Sequence, residues 1–144
     1  MRSLSSRFLP KFAAPLAMAA IASLVFIAPA SAQANVVNGA SVFNSCAGCH
    51  KVGDGAQNAS GPVLTDVIGR VAGTYEGYRF SNDLIAAGQS GLVWTEENLA
   101  EFIADPSGFL KEFLDDSGAR SKMPFRMRDE NNAIDVAAYL ASLN

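Results

Sequence analysis

Apolar residues recur at helical spacing in three stretches of the chain and run unbroken in a fourth. From residue 95 onward, Leu99, Phe102 and Ile103 form one apolar face. Thr95 precedes them as an N-cap, and Glu96 and Glu97 suit the positive end of the helix dipole. Trp94 and Leu99 hold the two positions of a hydrophobic staple, and Pro106 ends the run. A second helix is predicted over about Glu130–Leu143, where Val136, Tyr139, Leu140 and Leu143 share a face. A third starts near Asn38 as its cap and passes Val42 and Phe43 to Cys46. Shorter helical pieces are expected at Ser81–Ala87, capped by Ser81 and stopped at Gly88, and as a turn at Phe109–Leu114. From Lys51 to Gly73 the chain is rich in Gly, with Asn58 and Pro62, and reads as irregular loop. No segment alternates with a period of two and none repeats. The pattern predicts an all-α domain of short helices and long loops.

The unbroken apolar stretch, Ala13 to Ala30, follows Arg2, Arg7 and Lys11 with no acid among them. Ala30-Ser31-Ala32 then fits a small-x-small cleavage site, so residues 1–32 read as a signal peptide and 33–144 as one domain. Cleavage after Ala34 fits as well. An uncleaved membrane anchor is the alternative. Pro15 and Pro29 bracket the run, and the folded part begins within a few residues of it, both of which favour cleavage and a periplasmic product. Loss of residues 1–32 leaves 8 Lys+Arg against 14 Asp+Glu, formally −6. That balance argues against nucleic acid and anionic lipid as partners.

All the scarce ligand chemistry sits in Cys46-Ala47-Gly48-Cys49-His50, which holds both cysteines and the one histidine of the chain. The C-x-x-C-H order is that of a c-type haem attachment site. Each thiol can add across a haem vinyl group, and the histidine that follows is held where its nitrogen can bind the iron. Three other readings compete: a structural disulfide, a redox dithiol and a zinc site. Zinc would need carboxylates to complete its ligands, and the dithiol lacks a thioredoxin-like strand and helix around it. A small all-α core with long loops also needs apolar surface that a buried porphyrin would supply.

An iron held by one histidine needs a sixth ligand, and the domain offers only two thioethers, Met123 and Met127. Met127 lies beside the C-terminal helix, where a methionine fills gaps in the core. Met123 precedes Pro124, which holds the residue before it extended, as suits a side chain directed from a loop toward a metal. Met123 is the preferred candidate.

The order of these features resembles the class I cytochromes c, of the soluble bacterial, mitochondrial-like type, over residues 36–143. Gly39, Phe43 and Tyr139-Leu140 match the crossing of the N- and C-terminal helices. Gly61-Pro62-Val63-Leu64 matches the loop on the histidine side. Gly69-Arg70, Gly77-Tyr78 and Trp94 match positions lining the haem propionates. The resemblance implies one haem c, linked through Cys46 and Cys49 and ligated by His50 and Met123. It further implies that the Pro62 carbonyl accepts from the His50 ring, and that Arg70, Tyr78 and Trp94 donate to propionate oxygens. Simpler readings exist for Trp94 (core packing) and Arg70 (a solvated charge). Phe102 and Phe80 depart from the family pattern where hydroxyl-bearing residues often stand. The Asp105–Lys122 segment is longer than in mitochondrial relatives, and its acids Asp105, Glu112, Asp115 and Asp116 read as a solvated loop.

With both axial positions filled, the expected function is one-electron transfer, not catalysis. The resemblance implies a monomeric carrier, not anchored in the membrane. Its donor would be a quinol-oxidising complex and its acceptor a terminal oxidase or photosynthetic centre. Exchange is expected at a haem edge near Cys46, Lys51 and Lys122. The alternatives are a haem subunit of a larger oxidoreductase, a weak haem peroxidase, or a haem-free thiol–disulfide protein.

Overall fold

The computed structural model describes residues 34–144; residues 1–32, expected to be a signal peptide, lie outside them. Five helices follow one another: α1 (Val36–Val42), α2 (Asn82–Gln89), α3 (Glu96–Ala104), α4 (Pro106–Phe113) and α5 (Glu130–Ala141). A 3₁₀ turn, Phe43–Ser45, extends α1. Among the described residues the extended pairing amounts to one antiparallel bridge, Val71 with Val93. None of these helices is long and apolar enough to cross a membrane.

The N-cap of helix α1 lies three residues before the expected one. Asn35 accepts from the Asn38 N–H at 3.0 Å, which makes Asn35 the N-cap and puts Asn38 inside the first turn. Both asparagines are good caps in isolation. Contact with α5 decides between them. The Asn35 N–H donates to Asp135 Oδ1 at 2.7 Å, and Asn38 Nδ2 donates to Asp135 Oδ2 at 2.7 Å and to Asn132 Oδ1 at 3.1 Å. Asp135 is thereby buried with both oxygens satisfied.

The α1–α5 crossing depends on a missing side chain. A Cβ on Gly39 would run into the backbone carbonyl of Asp135 and lie 2.9 Å from Tyr139 Cβ. One turn on, the Phe43 and Tyr139 rings meet with centroids 5.5 Å apart. Gly39→Ala is expected to destabilise the protein by about 2 kcal/mol, because overpacking against rigid backbone outweighs the gain in helix propensity. Guanidinium unfolding of the mature protein checks this; unchanged stability would show that the helices can move apart freely.

Helix α2 is capped by Ser81, whose Oγ accepts from the Leu84 N–H at 3.2 Å. It runs through Gly88, where a stop was expected, and ends one residue later. Gly91 takes a left-handed φ of 99°. Its N–H donates to the Gly88 carbonyl at 3.0 Å and the Leu92 N–H to the Ala87 carbonyl at 2.9 Å, a Schellman ending. Gly88 has another duty: the Ala72 carbonyl occupies the space a Cβ would need.

Helix α3 follows the sequence pattern, with Thr95 and Asn98 capping one another reciprocally and Leu99, Phe102 and Ile103 buried. Pro106 does more than end it. With Asp105 as N-cap, accepting from the Gly108 N–H at 3.1 Å, Pro106 becomes the first residue of α4. The segment expected to be a solvated loop therefore contains a helix that buries Leu110 and Pro106 fully. Asp105 is also paired with Arg126 at 2.7 Å. Helix α5 is capped by Asp129 and buries Val136 and Leu140, while Tyr139 and Leu143 are half-buried.

Candidate functional site

The end of α1 winds directly into the cysteine motif. Cys46 and Ala47 N–H groups donate to the Phe43 carbonyl at 2.8 and 3.0 Å, and Cys49 and His50 N–H groups to the Cys46 carbonyl at 3.0 and 2.9 Å. The 3₁₀ winding places Cys46, Cys49 and His50 on consecutive tight turns. Both thiols are free, Cys46 half-buried and Cys49 exposed. Burial pushes the Cys46 thiol above its ordinary pKa, against the Ser45 hydroxyl, which lowers it.

The loop from residue 51 to 64 folds back over the histidine. Its Gly61 N–H donates to the Cys49 carbonyl at 2.9 Å, and its Leu64 N–H to the Lys51 carbonyl at 2.9 Å. Gly61 then lies flat against the imidazole. A Cβ there would stand 2.7 Å from Nδ1 and 2.8 Å from Nε2, inside van der Waals contact. The next residue fixes the tautomer. His50 Nδ1 is 2.8 Å from the Pro62 carbonyl, which can only accept, so Nδ1 carries the proton and Nε2 keeps its lone pair. Burial lowers the histidine pKa, opposed by the Pro62 carbonyl. With Nδ1 engaged by the Pro62 carbonyl, Nε2 is the nitrogen left to bind a metal. Two free thiols and this imidazole are the donor set that a c-type haem requires, and the residues present fit it.

Met123 is half-buried against the core, in a loop, with its N–H on Ser121 Oγ at 3.0 Å. Met127 is 6% exposed, packed in the core, with its N–H on the Ile103 carbonyl at 3.0 Å. The two thioethers therefore differ in kind: one is loop-borne, the other a core residue.

The three residues expected to meet propionates have different surroundings. Arg70 donates to the carbonyls of Val63, at 3.0 Å, and Thr65, and its guanidinium stacks 4.5 Å from the Tyr75 ring centroid. It braces the loop that carries Pro62. The Tyr78 hydroxyl donates to the Ser60 carbonyl at 2.8 Å. Trp94 is buried against Phe102 and Phe109, with ring centroids 5.1 and 6.2 Å away. Its backbone joins the 69–72 segment, where the Gly69 N–H donates to the Trp94 carbonyl at 2.8 Å and the Trp94 N–H to the Arg70 carbonyl at 3.0 Å. Phe102 also packs edge-on against Phe109, and Phe80 against Tyr78.

Among the described residues no three His, Cys, Asp or Glu side chains converge on a common point, so the zinc alternative has no ligand set. Sequence reasoning passed over the packing of Gly61 on the imidazole. Its neighbour Pro62 was the only local signal.

The family described as Cytochrome c matches residues 36–144. Cytochrome c2 of Rhodovulum adriaticum is 46% identical over 112 residues, which span 73% of this chain and 89% of that protein. Cytochrome c-551 of Roseobacter denitrificans is 40% identical over 134 residues, 88% of this chain and 94% of its own length. The solved structure of cytochrome c2 from Rhodospirillum centenum superposes with a TM-score of 0.73 at 42% identity, covering 76% of this chain and 98% of that one. Ferricytochrome c2 from Rhodopseudomonas palustris gives 0.71 at 40% identity, over 76% and 99% of the two chains. On the attachment motif, the glycine-mediated helix crossing and these likenesses together, the chain belongs to the cytochrome c family, among its class I bacterial members.

Proposed function

We propose that the protein is a periplasmic one-electron carrier in which haem c is linked through Cys46 and Cys49 and held between His50 and Met123. The observation that carries the reading is the His50 ring, protonated at Nδ1 by its 2.8 Å bond to the Pro62 carbonyl and bare at Nε2, one turn from two free thiols. When bound, the haem supplies the Fe(III)/Fe(II) couple. The protein's part is to keep both ligands in place in either oxidation state. Gly61 and Pro62 lock the imidazole, and buried Trp94 and Phe102 with half-buried Phe109 give a stiff, apolar wall. Little rearrangement then accompanies gain or loss of an electron. With Met123 as the sixth ligand the iron would offer no open position to a substrate. That favours the carrier over a haem peroxidase.

Residues 1–32 act in this reading as the export signal, which brings the chain to the compartment where c-type haem is attached. The relatives named cytochrome c2 and cytochrome c-551 support a carrier role; a quinol-oxidising donor and an oxidase or photosynthetic acceptor are what the family resemblance implies. Arg120, Lys122 and Arg128 are exposed and flank Met123 in sequence, with the half-exposed Phe125 among them, while Arg126 pairs with Asp105. No acid lies between Asp116 and Asp129. This basic rim on an acidic protein is a docking face for an electronegative partner.

Two measurements on the purified periplasmic protein test the proposal. A pyridine haemochrome spectrum is expected to show one covalently bound c-type haem per chain. The reduced protein at neutral pH is expected not to bind carbon monoxide. A colourless product returns the chain to thiol chemistry, and ready carbon monoxide binding points to the peroxidase or haem-subunit alternative.

A further inference from the structure

The loop that carries Met123 has almost no regular structure of its own, yet three of its N–H groups, those of Arg120, Ser121 and Met123, donate to side chains. The Arg120 N–H donates to Asp83 Oδ2, in the first turn of α2, at 2.8 Å. The Ser121 N–H donates to Ser107 Oγ, in the first turn of α4, at 3.1 Å. The Met123 N–H closes on Ser121 Oγ at 3.0 Å. Between them, Lys122 Nζ reaches back to the carbonyls of Arg79 and Phe80, at 2.8 and 3.4 Å, just ahead of α2. The Asp83, Ser107 and Arg79/Phe80 partners are 37, 14 and 43 or 42 residues away in sequence, so apart from the Met123–Ser121 bond the loop is held by distant groups. What does so is the pair of helices on either side. α2 is fixed by its Schellman ending and the close approach of Gly88 to Ala72, and α4 by fully buried Leu110 and Pro106.

We infer that Asp83, Ser107 and Lys122 form a clasp that holds the Met123 loop down and sets how readily the position occupied by its sulfur opens to an outside ligand. The inference rests on Met123 being the axial sulfur proposed above. Asp83, Ser107 and Lys122 are positioning residues: each acts through the loop backbone. A competing ligand binds only the fraction of molecules with the loop raised, so its apparent affinity reports that fraction. The charged acceptor of Asp83 makes the strongest of these bonds. It also gives α4 a role: the additional segment before Met123 is the platform for one arm of the clasp.

Imidazole titration of the ferric holoprotein, followed by loss of the thioether-to-iron band in the near infrared, measures the open fraction. Asp83→Ala is expected to tighten imidazole binding about tenfold, and Ser107→Ala and Lys122→Leu about fivefold each. Amide hydrogen exchange at Arg120, Ser121 and Met123 should quicken in parallel. In a Met123→Ala background the same three substitutions should leave imidazole affinity unchanged, because no sulfur remains to be displaced. If Asp83→Ala fails to mature, Asp83→Asn keeps a neutral acceptor and should still tighten binding about threefold. Unchanged imidazole affinity in the Asp83 and Ser107 variants overturns the clasp, while the ligand assignment stands. Survival of the near-infrared band in Met123→Ala overturns the ligand assignment, and the clasp with it.

Discussion

His50→Ala is expected to yield no mature cytochrome: the periplasmic product should lack a low-spin haem spectrum and accumulate poorly. The chain contains one histidine, so no second imidazole can take over. The ring is also a packing element. It fills the space over Gly61 and ties residue 50 to residue 62 at 2.8 Å. Its removal leaves the Pro62 carbonyl without its donor and opens a gap, so the loop over the motif loosens as the ligand is lost. Pro62→Ala is the informative control. The interaction uses the backbone carbonyl, which every residue has, so this variant should mature and retain a low-spin spectrum. A normal spectrum in His50→Ala would refute the proximal role. Loss of maturation in Pro62→Ala would show that proline's rigidity, and not its carbonyl, is what the site needs. Absorption spectra and haem-stained gels of the periplasmic fractions read all of these outcomes.

The second large effect separates the two methionines. Met123→Ala should abolish the thioether-to-ferric charge-transfer band in the near infrared and allow the reduced protein to bind carbon monoxide, with only a modest change in fold stability. Met127→Ala should do the opposite. Met127 is 6% exposed within the core, and truncation there should cost about 2–5 kcal/mol while leaving the band intact. The contrast follows from surroundings, since the two side chains are chemically identical. Spectra and denaturant unfolding of both variants decide the matter, and the reverse pattern reassigns the ligand to Met127.

The parts of the fold that were legible in the sequence are those with local causes. Thr95 and Asn98 cap α3 because both groups lie within four residues of one another, and the apolar face of α3 needs only its own periodicity. Ser81 caps α2 for the same reason. The cysteine motif was readable because its chemistry is contiguous. Where reading failed, a distant group had settled a local ambiguity. Asn38 was expected to cap α1, but Asn35 does so, because Asp135, on α5, engages the Asn35 N–H and the Asn38 amide. Gly88 carried the signal of a helix stop, but its absent side chain makes room for the Ala72 carbonyl. Asp105 and Pro106 looked like the end of one helix and the start of a solvated loop. They are the cap and first turn of the next helix, because Leu110 finds a fully buried place in the core.

Composition and pattern alone settled that this is a helical chain whose ligand chemistry is gathered at residues 46–50, with two thioethers to choose between. Those are properties of covalent order and of side-chain type. Tertiary structure decided which nitrogen of His50 is bare, which methionine is core, and what holds the other one in its loop. Each of those depends on a carbonyl, a carboxylate or a hydroxyl supplied from between 12 and 43 residues away, or on burial among distant helices. A side chain's identity is written at its own position; its protonation, orientation and freedom to move are set by whatever the folded chain brings against it.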